Sequence, residues 1–326
     1  MGAVSSAARI LSRRTFAGTL AGVALHHFLR NAKALAAAEL DQSARLAWSV
    51  EKPGLSIERR YRADAQVLVF GLPVLRRESV GGGSAVWREF DAGAAVRLLE
   101  FSGFSTPARA AGLNRVGFLR EMARKSPDGP ECIYFGLMTA APEESAEEAR
   151  KALHSGAKEQ AFSVIEGRVG GGQVETASAH FMAEAIAAGQ PGVELIDQAR
   201  RALASTPKVS TAGPAGETLQ PFLQTLVELL TRHDGAEGRY IYAGRQYKIR
   251  LARSEDARAT AHFRELRLID GPAEVIRVSG RIRREPGGKE TEFRLWIPDG
   301  AERPLPLRIE YQAKPYLRLF FEAVAD

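Results

Sequence analysis

The sequence predicts a mainly β protein of the α+β class, in which an antiparallel, strongly curved sheet forms a half-barrel around a few helices. Three observations lead to this fold class. Apolar and polar side chains alternate with a period of two from about Ser56, turn signals separate the alternating segments, and one helical segment is apolar around most of its circumference. Strands joined by short turns pair antiparallel, because parallel neighbours need long crossovers.

The alternation is clearest towards the C-terminus. In the segment QYKIRL, Tyr247, Ile249 and Leu251 share one face and the polar residues between them share the other. Turn signals at PGG, DG and KP separate the later strands. The same pattern predicts four more strands with these inward residues: Ile276, Val278, Gly280, Ile282; Phe293, Leu295, Ile297; Leu305, Leu307, Ile309, Tyr311; and Leu317, Leu319, Phe321.

The N-terminal half contains the same kind of pattern, interrupted by glycine. Breaks between strands are expected at Gly71-Leu72-Pro73 and at two triplets, Gly81-Gly82-Gly83 and Gly170-Gly171-Gly172. A phosphate-binding loop would need a helix directly behind the glycines. Alternating strand sequence follows both triplets, so we predict hairpin loops at both.

Helices are expected between groups of strands. Glu143 to His154 begins with acidic residues and ends with Lys151 and His154, which suits the helix dipole, and Val193 to Ala204 is amphipathic. A third helix is predicted from Thr218, as N-cap, to Arg232, and its leucines indicate burial on most sides. Ser205 to Glu217 is rich in Pro, Gly, Ser and Thr and is expected to be an exposed mobile loop.

The N-terminus has the features of a leader. Ser12, Arg13, Arg14 and Phe16 resemble the twin-arginine export motif of bacteria. The apolar run behind them, Phe16–Leu29, is too short and too polar for a stable transmembrane anchor. Small residues follow, so cleavage is expected between residues 36 and 38, in the periplasm, after passage through the twin-arginine translocase. The alternative is an amphipathic N-terminal helix of a cytoplasmic protein.

This organisation divides the chain into a signal peptide (1–38), a linker (39–55) and one half-barrel domain (56–326). Helical and loop material is expected to be inserted around 105–215. Five of the 45 basic side chains lie in the leader, which has no acidic residue, and the other 40 stand against 39 acidic ones. A nearly neutral mature chain gives no electrostatic reason to expect nucleic acid or an anionic membrane as partner.

A search for catalytic chemistry finds no recognisable constellation. The histidines behind the leader are His154, His180, His233 and His262, and none has metal-ligand spacing to another. His154 and His233 are expected at helix C-termini, and His180 and His262 on strands. Cys132, in an apolar strand, is interpreted as a small core residue. No catalytic residue, metal or cofactor is therefore predicted.

One basic ridge has two interpretations. Arg277, Arg281, Arg283 and Arg284 follow one another along a single predicted strand. They form either a solvated outer face that discourages edge pairing, or a contact for an anion or a lipid headgroup.

The C-terminal pattern resembles that of a bacterial family, domain of unknown function 3108. The resemblance rests on the apolar helix, GRYIYAGRQYKIRL, EFRLWIPDGAERPLPLRIEYQ and the terminal strand, and is best over Thr218–Asp326. YRADAQVLVFGLPVLRRES looks like the opening hairpin of that family. The resemblance implies a half-barrel around helices, related to periplasmic lipoprotein carriers, and implies no catalytic residue.

These features predict a non-enzymatic periplasmic protein that binds a hydrophobic ligand or lipid in the crevice between sheet and helices. The alternative is a scaffold or partner-binding protein of the cell envelope whose interior is filled by its own side chains. An enzyme of unrecognised type is the third hypothesis. The expected crevice residues are Phe222, Leu226, Leu229, Tyr247, Ile249, Phe293, Leu295, Leu307, Ile309, Tyr311 and Leu319.

Overall fold

The structure is a computed structural model that describes residues 54–69, 72–91, 95–110, 114–125, 130–140, 159–184, 192–213, 219–232, 236–314 and 317–325. The leader, nearly all of the linker and the predicted helix Glu143–His154 lie outside the described residues. His154 and His233 also lie outside them.

The described residues form one antiparallel sheet of fourteen strands, which confirms the predicted fold class. Its spatial order is β8-β7-β6-β5-β4-β3-β2-β1-β14-β13-β12-β11-β10-β9, so consecutive strands pair except β8 and β9, and β1 joins β14. The strands are β1 (Leu55–Val69), β2 (Leu72–Asp91), β3 (Ala95–Ser105), β4 (Val116–Arg124), β5 (Glu131–Thr139), β6 (Glu159–Gly170), β7 (Gln173–Glu184), β8 (Val209–Ala212), β9 (Glu237–Tyr242), β10 (Arg245–Glu255), β11 (Val275–Arg284), β12 (Glu290–Pro298), β13 (Arg308–Lys314) and β14 (Leu317–Ala323).

The sheet curves until strands far apart in its order touch. Tyr134 of β5 stacks on Tyr242 of β9 with ring centroids 5.6 Å apart. Gly136 permits this approach, since a Cβ there would lie 2.4 Å from the Tyr242 hydroxyl oxygen. The two end strands, β8 and β9, are not paired with each other in the described part of the chain. The curved sheet is therefore unclosed.

Three helices occur among the described residues, and they cover different faces. α1 (Val193–Ala204), in agreement with prediction, packs on the outer face of β5 to β7. α2 (Phe222–Thr231) lies inside the curve, in the main hydrophobic core. α3 (Ala257–Glu265) packs on the outer side near β11 and β12. The sheet thus wraps around one of these helices and carries the other two outside.

The predicted hairpin loop at Gly81-Gly82-Gly83 is wrong, because the triplet lies inside β2. A Cβ at Gly81 would lie 1.9 Å from the Phe104 carbonyl oxygen, and one at Gly83 would lie 2.4 Å from that of Ser102. The glycines therefore let β2 and β3 approach closely. The second triplet does form the β6–β7 turn, with positive φ at Gly171 and Gly172.

Two other expectations about local structure also need correction. The segment Ser205–Glu217 contains the exposed strand β8, which pairs with the edge of β7, so it is not wholly a loop. His262 lies on α3 rather than on a strand, because the side chain of Asp256 caps that helix by accepting from the Ala259 amide.

The start of the apolar helix differs from the prediction as well. Thr218 lies outside the described residues, and α2 begins at Phe222 with Pro221 as its N-cap. Gln220 is held in an extended bridge with Tyr240, and its carbonyl accepts from the Ile241 amide at 3.0 Å. That bridge keeps residue 220 out of the helix.

Candidate functional site

The candidate site is the interior of the curved sheet, where the crevice was expected. Nine of the predicted crevice residues are buried there in one continuous cluster with α2. They are Phe222, Leu226, Leu229, Tyr247, Ile249, Phe293, Leu295, Ile309 and Tyr311. The alternation of apolar residues in β10, β12 and β13 therefore located the inward face of the sheet.

The remaining two crevice residues lie elsewhere in the packing. Leu319 is half-buried at the margin of the same cluster. Leu307 is fully buried but belongs to a separate cluster with Phe263 of α3 and Trp296. It precedes the first residue of β13, Arg308, and its amide donates to the Trp296 carbonyl at 2.7 Å.

Helix α2 occupies the middle of this interior. Leu229 and Leu230 are 2% and 4% exposed, so the helix buries its apolar residues on more than one side. At its start Phe222 contacts Tyr240 with ring centroids 5.1 Å apart, and Tyr240 in turn stacks on Tyr247. The helix and the aromatic side chains thus occupy the middle of the predicted crevice.

A buried polar group fixes the beginning of α2 to the opposite wall. Oε2 of Glu121, on β4, accepts a hydrogen bond of 2.9 Å from the Gln224 amide. The Gln224 side chain donates to the Glu121 carbonyl and accepts from Nε of Arg97 on β3, at 2.8 Å. Glu121, Gln224 and Arg97 are called the Glu121 cluster below. Pro221, the N-cap residue of α2, provides no side-chain cap. The Glu121 carboxyl group of β4 caps the helix instead.

The Glu121 cluster is electrostatically unusual. Burial raises the pKa of Glu121 to about 8, although the amides at the start of α2 and Arg97 oppose that shift. Burial also lowers the pKa of Arg97, which lies 5.5 Å from the Trp87 ring centroid. A carboxyl with such a pKa is largely protonated at neutral pH and can donate a hydrogen bond.

Cys132 lies in the same interior and is fully buried, as expected for a core residue. Burial, followed by the charge of Glu121, raises the pKa of its thiol to about 12. The thiol is therefore protonated at neutral pH, which makes it a poor nucleophile.

Three buried polar atoms of the interior have no hydrogen-bond partner among the described residues. They are Oε1 of Glu121, Oγ1 of Thr225 and the hydroxyl of Tyr311. Such groups are costly when they remain unsatisfied. They mark where a bound water or the polar end of a ligand would form hydrogen bonds.

The sequence interpretation missed the Glu121 cluster, although one signal was available. In VGFLREMAR, Leu119, Glu121 and Ala123 share a face by strand alternation, which places an acid in an inward position. Its partner Gln224 lies among the leucines of α2 and is fully buried.

The other singled-out side chains lie outside the interior. His180 on β7 forms a 2.7 Å contact with the Ser163 hydroxyl, and burial lowers its pKa. His262 lies 3.4 Å from Glu322. On the predicted basic ridge, Arg281 contacts Glu292 at 3.2 Å, consistent with a solvated outer face.

Two kinds of site are absent from the part of the chain that the structure describes. It contains no group of three or more His, Cys, Asp or Glu residues arranged to hold a metal ion. Among the helices described there, none is long and apolar enough to cross a membrane.

Comparison with known proteins gives little for this chain. No family model matches the sequence, and no curated protein matches it. Among solved structures it is similar to the crystal structure of a beta-barrel-like protein of domain of unknown function DUF1849 from Brucella abortus, with a TM-score of 0.40 and 9% identity. That match covers 82% of this chain and 96% of the other. The resemblance to domain of unknown function 3108 stays a prediction.

Proposed function

We propose that the chain is an exported, non-enzymatic protein of the cell envelope that acts through its outer surface as a scaffold or partner-binding protein. The observation that supports this proposal is the burial of α2 within the main hydrophobic cluster. Six residues expected to line a ligand crevice are buried in one cluster with α2, and the Glu121 cluster ties α2 to β3 and β4. Export and membership of domain of unknown function 3108 belong to this proposal and rest on the sequence alone.

The test is titration of delipidated protein with a fluorescent fatty acid. We expect no saturable uptake by the native protein. A Leu226→Ala/Leu229→Ala variant, which removes volume from the buried face of α2, should gain weak uptake if it stays folded. Stoichiometric uptake by the native protein would contradict the filled interior. If the proposal is right, cross-linking in cells followed by purification of the native protein should recover an envelope partner.

A second candidate, the carrier of a hydrophobic ligand, is favoured by one observation. The interior is apolar, yet Glu121, Thr225 and Tyr311 each have a buried polar atom without a partner in the described part of the chain. A ligand with an apolar tail and a polar end would satisfy both features if α2 moved aside. Native protein that takes up fatty acid, with loss of uptake in Tyr311→Phe, would support the carrier.

A further inference from the structure

The hairpin of β1 and β2 extends beyond the strands beside it. β14 pairs with β1 only as far as Val67, and β3 pairs with β2 only from Gly81. The part of the hairpin beyond these points, Leu68–Val69 with Leu72–Ser79, is called the arm. Every residue from Leu72 to Glu78 is exposed. The arm therefore projects from the body of the sheet.

The tip of the arm carries three exposed apolar side chains. Leu72, Val74 and Leu75 are 68%, 60% and 52% exposed, and the first two are the most exposed large apolar side chains of the described residues. Val67 pairs with Leu75 and Leu68 with Pro73, so Val74 is the extra residue of a β-bulge near the tip. Leu68, which pairs with Pro73, is 3% exposed, so the exposed apolar side chains described for the arm belong to β2.

The base of the arm is held in a fixed direction. The side chain of Asp64, which is 2% exposed, accepts from the Ser79 amide at 2.9 Å and from Arg76 at 2.8 Å. The register of β1 and β2 shifts between Ala63 and Ala65, as at a β-bulge, which bends a strand and redirects its continuation. The tip is thus presented by a rigid support.

The charges beside the arm complement an anionic surface. Arg76 is neutralised by Asp64, and Glu78 lies near it. Arg77 donates to the Arg109 carbonyl at 3.3 Å, so these two arginines lie together on the exposed side. In the ranges that the structure describes, neither forms an ion pair with an acidic residue. They remain available to phosphate groups although the mature chain as a whole is nearly neutral.

We propose that the arm anchors the protein to the surface of a lipid bilayer: Leu72, Val74 and Leu75 enter the boundary between headgroups and acyl chains, and Arg77 and Arg109 bind lipid phosphates. The hairpin pairs internally, Val67 with Leu75 and Val69 with Leu72, so its tip can enter that layer with those backbone groups satisfied. Pro73 lacks an amide hydrogen, which makes this end a poor template for another strand. The inference goes beyond the proposed function and does not depend on what the interior holds.

The test is co-sedimentation of the protein, purified after expression of the full chain, with vesicles of phosphatidylethanolamine and phosphatidylglycerol (3:1) or of phosphatidylcholine alone. We expect Leu72→Ser/Val74→Ser/Leu75→Ser to lower the partition coefficient at least tenfold. Met182→Ser/Val209→Ser changes two similarly exposed apolar residues elsewhere and should stay within twofold of the native protein. Arg77→Gln/Arg109→Gln should abolish the preference for the anionic vesicles. Any vesicle binding by the N-terminal segment is the same in the native protein and in the three variants.

A second measurement reports insertion directly. Cys132 is fully buried, so an environment-sensitive fluorophore can be attached to Leu72→Cys, with Val209→Cys as the control. Vesicles should shift the emission to the blue for the label at position 72 and leave the label at 209 unchanged. Equal sedimentation of native protein and the triple serine variant, or no shift at 72, would overturn the proposal. So would a change of oligomeric state in the triple variant without lipid, which would identify a second copy as the occupant.

Discussion

The carboxyl group of Glu121 on β4 caps the first turn of α2 by accepting a 2.9 Å hydrogen bond from the Gln224 amide, across the interior of the sheet. The two residues are 103 positions apart in sequence. This contact ties α2, inside the curved sheet, to β4. It also places an ionisable group where the solvent cannot reach it. Protonation of Glu121 is therefore linked to the stability of the fold.

Replacing Glu121 should change how stability depends on pH. The pKa of this carboxyl is about 8 in the folded state against 4.5 when unperturbed, so between these values the native state holds a proton that the unfolded chain has released. The free energy of unfolding therefore falls as the pH rises from 4.5 to 8, by on the order of 4 kcal/mol from this group. Glu121→Gln should remove that slope. Urea denaturation at pH 5, 6.5 and 8 measures it.

The control for this experiment is Glu274→Gln, which changes an exposed carboxyl. Its free energy of unfolding should follow that of the native protein at all three pH values. Glu121→Gln also carries a constant offset, because its new amide group finds no acceptor at the position of Oε1. A parallel pH profile for Glu121→Gln and the native protein would mean that Glu121 is ionised in the fold.

The leucines of α2 should contribute to stability as core residues. Leu229 is 2% exposed, so Leu229→Ala leaves a cavity and should lower the free energy of unfolding by about 3 kcal/mol. Leu266, after α3, is 38% exposed, and the same substitution there should cost less than about 1 kcal/mol. Chemical denaturation of both variants gives the comparison. Similar losses would mean that α2 is not packed inside the sheet.

The glycine triplet in β2 should tolerate no side chain. A Cβ at Gly83 would lie 2.4 Å from the Ser102 carbonyl oxygen, so Gly83→Ala must push β2 and β3 apart and should cost about 2 kcal/mol or more. A Cβ at Gly117 of β4 would have no heavy atom within 4 Å, and Gly117→Ala should leave stability unchanged or raise it by about 0.5 kcal/mol. Thermal unfolding distinguishes the two. Equal melting temperatures would contradict the close pairing of β2 and β3.

The sequence predicted the sheet well because strand alternation is a local signal. Tyr247, Ile249 and Leu251 face the interior as the pattern indicated. The glycines of β2 were misinterpreted because their role depends on β3, which the local sequence does not reveal. α3 was missed because its cap at Asp256 stands between strands without a strong apolar period.

The candidate site was predicted in its apolar part and missed in its polar part. Hydrophobic burial follows from periodicity, so the inward faces of β10 and β12 could be assigned. The Glu121 cluster joins β3, β4 and α2. The spacing of residues along the chain does not indicate a contact between positions so far apart. A polar residue at an inward position of a strand is the signal that indicates a buried partner elsewhere in the fold.

The last prediction concerns the leader. Residues 12–16 lie outside the described residues, so the assignment of the leader depends on the sequence. Two adjacent arginines are the feature by which the twin-arginine pathway recognises a leader, so Arg13→Lys/Arg14→Lys should retain the full-length chain in the cytoplasm. Arg9→Lys changes a basic residue outside the motif and should export normally. Cell fractionation and the mass of the product measure both. If the double variant is exported and shortened like the native chain, the general secretory route carries it. If the native chain is never shortened, residues 1–38 are an N-terminal helix of a cytoplasmic protein, and the envelope function fails with it.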